Sequence, residues 1–287
     1  MILVTSPNGL FIVTKIGEVI LFNRENCFGI DSIKGENGLD TYIYVAYRQK
    51  KGTKLVELKY HLEDGAFEYC GDYSTTWIED VHQIAVQKNS FVTTILLTNT
   101  KYNNVRVVKK DRFNFEFKMV GFKKDNQDAD INHINATHIE YKYSDVSDIY
   151  IGLNNKGIKE SQVLKVHDDS RSELITLDGV YHSHDLEPYK GDILISASHQ
   201  GFVYSLNEKR PLFNTGDVWT RGLCVSPEGV WVGYSAVSPR TSRQDPNLKN
   251  SINLFSHDTF KLLRSIEIPN AGQINDMIYI KDASSNN

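Results

Sequence analysis

The chain is poor in cysteine: Cys27, Cys70 and Cys224 are the three it has among 287 residues, far apart and with no CxxC pair. That spacing excludes a disulfide framework and a zinc finger and fits reduced thiols in a cytoplasmic protein. Helical patterning is absent too, since no dozen residues carry an apolar i, i+3, i+4, i+7 stripe. No apolar run approaches the roughly 18 to 20 residues of a membrane helix, so no membrane association is expected. The opening MILVTSPNGLFIVTKIGEVILF is broken by Pro7, Asn8 and Gly9 and has no basic segment before its apolar part, so it reads as strands and a turn rather than a leader. Positive charge is not in excess, with 32 Lys and Arg against 36 Asp and Glu, which disfavours nucleic acid as a partner. There is no GxSxG elbow and no HExxH, and GENG at 35–38 has the wrong flanks for a phosphate loop, so no nucleotide cofactor is expected.

What is present is strand. Segments such as TYIYVAYR, KLVELKYH, DIYIGL, DILISAS and GVWVGYS are rich in Val, Ile, Tyr and Phe and are bounded by Gly, Asn, Asp or Ser. A short pattern recurs: VHQI at 81, INHI at 131, SHDL at 183, TRGL at 220 and INDM at 274, with LDTY at 39 as a loose sixth. Six units of about 40 to 50 residues predict an all-β six-bladed β-propeller of four-stranded blades. The last motif lies close to the end of the sequence with few strands left to pair, so the N-terminal strands are expected to close the last blade. Residues 1–282 read as a single propeller domain and 283–287 as a disordered tail. The polar segments 121–133 and 238–251 are long for hairpin loops and are expected on the surface.

In a propeller, residues at the start of the inner strands converge on one mouth of the central channel. The motif places Asp40, His82, Asn132, His184, Arg221 and Asn275 there, and His182 shares a face with His184 by the period of two. Register leaves two choices open: Asn132 or, one residue along, His133 with Asn135; and His182 or His184. His138 reads as a strand surface residue, and Trp219 as a packing residue able to wall the pocket. Such polar positions also serve simply to hold the backbone of the next blade. The histidines nonetheless suit general acid and base work, with His82, His133, His182, His184 and Arg221 as the catalytic candidates and Arg221 as an anion clamp. Asp40, Asn135, Trp219, Ser235 and Asn275 are the substrate-binding candidates. His82, His133 and His184 (or His182) could instead hold a divalent metal ion.

The stretches DVHQIAV, NHINAT, YHSHDLE, WTRGLCVSPEGVWVGYSAV and INDMIYI together resemble an uncharacterised bacterial family of six-bladed propellers with the series DxHDxA, HxNG, PHS, TRGL and VGxS. The resemblance singles out Asp80, His82, His133, Asn135, His182, Ser183, Arg221, Gly222 and Ser235, and so prefers His133 over Asn132 and His182 over His184. Gln83 stands where that family often has Asp, Ala136 where it has Gly and Tyr181 where it has Pro. The expected function is an enzyme of lyase, cyclase or hydrolase type acting on a small polar or anionic substrate. The alternatives are a propeller that binds a small molecule, sugar or peptide without turnover, or a protein-interaction platform.

Overall fold

A computed structural model describes the chain except residues 89–91, 111–114, 122–129, 143–144, 168, 170 and 283–287. The expected tail and most of the 121–133 insertion therefore lie outside the described residues. The strands form six four-stranded antiparallel sheets, the six blades of a β-propeller. Five sheets are consecutive meanders, over residues 27–75, 84–121, 134–176, 183–214 and 219–267. The sixth is assembled from both ends of the sequence, as expected. Asp276–Tyr279 pairs with Ile2–Ser6, in the register Asp276 to Thr5 and Met277 to Val4, and Gly9–Val13 and Val19–Asn23 follow outward.

By contacts the chain divides into two compact units, residues 76–220 and residues 1–75 with 221–287, the division falling inside strand Trp219–Ser226. Residues 76–220 carry the second, third and fourth meanders. The other unit carries the remaining three sheets.

Inner strands and described outermost strands differ in burial, as their sequences encode. The strand Ile2–Ser6 is buried along its whole length, and Ser183–Tyr189 nearly so, whereas the last strands Phe67–Thr75, Ser172–Thr176 and Leu262–Glu267 are largely exposed. Thr53–His61 lies between these extremes, and its alternation buries Leu58 and Tyr60 while Lys59 and His61 reach outward. The cores lie between successive sheets. In one unit Ala136, Tyr150 and Val163 pack on Leu186, Ile195 and Tyr204; in the other Leu3 and Leu10 pack on Ile43, Val45 and Val56. Among the described residues no helix is long and apolar enough to cross a membrane.

Within each unit, polar latches tie neighbouring strands of different sheets together near where opening strands begin. Gln83 Oε1 accepts from the Thr137 amide at 3.0 Å, and Asp276 Oδ2 accepts from the Ile30 amide at 3.2 Å. Hydroxyls at the ends of second strands do similar work: Thr5 donates to the Phe28 carbonyl, Thr100 to the Ile134 carbonyl and Ser198 to the Thr220 carbonyl. These bonds satisfy backbone groups that the antiparallel ladders leave over.

The sixth repeat is a misreading of the sequence. Asp40 begins the second strand of its sheet, Asp40–Arg48, whose opening strand is Cys27–Lys34. Its carboxylate binds His61 Nδ1 at 2.9 Å and Lys59 Nζ at 3.3 Å in a surface ion cluster. The opening strand CFGIDSIK does not carry the recurring tetrapeptide, whose loose match falls on the next strand along.

Candidate functional site

Within residues 76–220 three imidazoles come together. The His82 ring lies 5.2 Å from the His133 ring and 6.2 Å from the His184 ring, centroid to centroid. His82 and His133 are partly exposed, while His184 is buried at 4% exposure. His133, rather than Asn132, is thus the residue beside His82. Asn132 belongs to a turn network, in which its amide group donates to Asn155 Oδ1 and its carbonyl oxygen accepts from Asn103 Nδ2.

His182 and His184 do not share a face. His182 has φ 54°, a left-handed backbone just ahead of strand Ser183–Tyr189, and the period-two rule holds only inside an extended strand. The His182 ring packs instead with His199 at 5.6 Å and Trp219 at 6.0 Å, and His199 meets Trp219 edge to face at 5.6 Å. Gly157 makes room for it, because a Cβ there would stand 2.2 Å from His182 Nε2. Trp219 thus walls the His182 side.

The hydrogen bonds around the cluster fix proton positions. His184 Nδ1 lies 3.0 Å from the His182 carbonyl oxygen and 2.7 Å from Ser198 Oγ. Ser198 has one hydrogen, which goes to the Thr220 carbonyl, and a carbonyl has none to give. Nδ1 of His184 therefore carries the proton, and neutral His184 holds its lone pair at Nε2. His133 Nδ1 is 2.9 Å from Asp130 Oδ2, which also meets Lys156 Nζ at 3.0 Å. Burial pushes the Asp130 carboxyl up, but the hydrogen bonds and charges of His133 and Lys156 outweigh it and hold the group below the usual carboxylate range. Asp130 is thus an anion that accepts from His133.

Asn135, 1% exposed, donates through Nδ2 to the Ser183 carbonyl at 2.7 Å, and Asn154 donates to the same oxygen at 3.0 Å. Asn135 Oδ1 is buried with no donor among the described residues. The other candidates lie in the second unit. Arg221 is buried there at 4% exposure; Ser235 Oγ accepts from the Ile274 amide at 3.0 Å; Asn275 Nδ2 donates to the Cys27 carbonyl at 2.6 Å. Ser235 and Asn275 therefore work as latches between sheets. His138 is not a surface residue: it lies half-buried, 6.0 Å from the Tyr150 ring, and burial lowers its pKa to about 4.

Among the described residues no three His, Cys, Asp or Glu side chains are placed to hold a metal ion. The Nδ1 atoms of His133 and His184 are committed to Asp130, Ser198 and the His182 carbonyl. Sequence reasoning missed Asp130, Lys156 and Ser198. Asp130, three residues before His133, was the available signal; the other two meet the site only through folding.

Fold and site together define a six-bladed β-propeller carrying a half-buried, hydrogen-bonded histidine cluster. No family model matches the chain, and no curated protein matches it. Solved structures do. A chain of the nidogen/laminin complex superposes with TM-score 0.63 at 11% identity, covering 96% of this chain and 97% of that one. A protein of unknown function from Bacteroides caccae gives 0.56 at 13% identity with 98% of each chain covered. The periplasmic gluconolactonase of Pseudomonas aeruginosa gives 0.54 at 10% identity, again with 98% of each. At these identities the likeness is one of fold.

Proposed function

We propose that the His82, His133 and His184 cluster is the general acid and base centre of a hydrolase acting on a small polar substrate, a lactone or ester being the best-suited class. The observation that carries this is the fixed orientation of two imidazoles: Asp130 holds Nδ1 of His133, and Ser198 with the His182 carbonyl holds Nδ1 of His184. An imidazole restrained at Nδ1 presents Nε2 as a proton acceptor near neutral pH. In the reaction, Nε2 of His184 takes a proton from water as its oxygen attacks the substrate carbonyl. A neighbouring protonated imidazole of the cluster gives a proton to the departing alkoxide, so that acid and alcohol leave. Asn135 Oδ1 offers an acceptor to a substrate hydroxyl. The gluconolactonase among the fold neighbours performs chemistry of this class on the same architecture, which supports the reading by analogy. The resemblance to the propeller family with the HxNG and PHS motifs supports the choice of His133 and Asn135.

The test is hydrolysis of a panel containing glucono-1,5-lactone, γ-butyrolactone and aryl acetates, followed by pH-stat. His184→Ala and His133→Ala are expected to lower kcat by about 10²- to 10⁴-fold, the usual contribution of a positioned acid or base. Turnover by neither the wild type nor any variant, with ligand retained, would instead make this a binding propeller.

A further inference from the structure

The unit formed by residues 1–75 and 221–287 contains a cavity of about 660 Å³, within the range of small-molecule sites. It lies where three opening strands end, at Lys34, Ser226 and Tyr279. Four cationic side chains line it, Lys15, Lys34, Arg264 and Lys281, against two carboxylates, Glu228 and Asp282. None of the three lysines is paired with a carboxylate among the described residues. A chain with net charge −4 thus carries an excess of positive charge around one cavity.

Two of the walls are held in place. Arg264 Nη1 donates to the Lys15 carbonyl at 2.7 Å, and Gly17, with φ +90°, leaves space for the guanidinium, since a Cβ there would stand 2.6 Å from Nη2. Trp231 is 4% exposed, and its Nε1 donates to Ser226 Oγ at 3.2 Å, which sets the angle of the indole. Tyr279 adds a second ring to the lining. An aromatic wall beside a restrained guanidinium and lysine ammonium groups suits a flat apolar body with one anionic head.

We propose that this cavity binds a small aromatic carboxylate. The carboxylate meets Arg264 and the lysines, and the ring lies between Trp231 and Tyr279. The inference is independent of the histidine centre, since every residue lining the cavity belongs to the other unit.

Isothermal titration of the full chain with 2-naphthoate and with the isosteric, uncharged 2-naphthamide tests it. The acid is expected to bind at least about tenfold more tightly than the amide, the ratio that one charge-assisted contact supplies. Lys34→Ala, on an exposed side chain, and Arg264→Ala should each weaken the acid while leaving the amide unchanged. His184→Ala should leave both unchanged, so a failed hydrolase reading does not touch this one. Equal affinity for acid and amide, no binding of either, or an acid affinity indifferent to both cation variants in chains with wild-type melting temperatures would overturn the proposal.

Discussion

His184 shows how much a single atom decides. Its Nδ1 sits between a carbonyl and a hydroxyl whose hydrogen is already used, and that fixes the tautomer from which the proposed base follows. Ser198→Ala is expected to keep the His182 carbonyl contact, lower kcat modestly and shift the acidic limb of the pH profile, which reports the base, rather than abolish turnover. His138 is the residue with a pH consequence for stability. Its folded pKa, about 4, lies below the unfolded value near 6.5, so the unfolded chain binds the proton first as pH falls. Its stabilising contribution is complete above pH 6.5 and is lost as pH drops toward 4, up to about 3 kcal/mol. Urea denaturation at pH 7.5 and 4.5 should show a smaller acid loss in His138→Phe than in the wild type. At Gly157 the prediction is steric. Gly157→Ala puts an L side chain at φ +69° and a Cβ against His182, which should cost about 1 to 2 kcal/mol in a thermal melt and displace the His182 resonances in an imidazole NMR spectrum.

At the scale of the element, opening strands such as Ser183–Tyr189 and Trp219–Ser226 are mostly buried, and side-chain latches lie near strand starts. Gln83 illustrates why a motif position need not be catalytic. Its Oε1 accepts from the Thr137 amide, so the place where the resembling family often has Asp is occupied here by a neutral acceptor doing structural work. Gln83→Leu keeps the volume and removes the acceptor, leaving a buried amide unsatisfied; equilibrium unfolding should show a loss of about 1 to 3 kcal/mol. Elements also explain the two register outcomes. The strands Ile134–Lys142 and Ser183–Tyr189 each begin immediately after a histidine with positive φ, His133 and His182. Alternation predicts facing from the first strand residue onward and says nothing about the residue before it. Because the strand starts are not marked in the pattern, the choices between Asn132 and His133 with Asn135, and between His182 and His184, stayed open in the sequence.

For the whole molecule, the sixth sheet joins the two ends of the sequence. Leu3 is fully buried in the core shared with Ile43 and Val56, and Val4 pairs with Met277. Leu3→Ala is expected to cost about 2 to 5 kcal/mol in denaturant unfolding, as for a filled core position that cannot collapse. The same substitution at Leu262, 57% exposed on a last strand, should change stability by less than about 0.5 kcal/mol. The fold class was legible because strand composition and a recurring tetrapeptide are local properties repeated along the chain. The misplaced repeat at Asp40 shows the limit: where an opening strand lacks the polar marker, the repeat has no local sign.

By itself the sequence determined six four-stranded units, the closing of the last one by the N-terminal strands, and the histidines worth watching, because periodicity and burial preference are written residue by residue. Only the tertiary structure decided that His133 and His184 flank His82, that Asp130 and Ser198 orient them, and that Ser235 and Asn275 hold sheets together instead. Apart from the local Asp130–His133 contact, those outcomes depend on left-handed residues before strands and on hydrogen bonds between residues more than ten positions apart. Such pairings arise from where the chain brings donors and acceptors together, and no local pattern carries them.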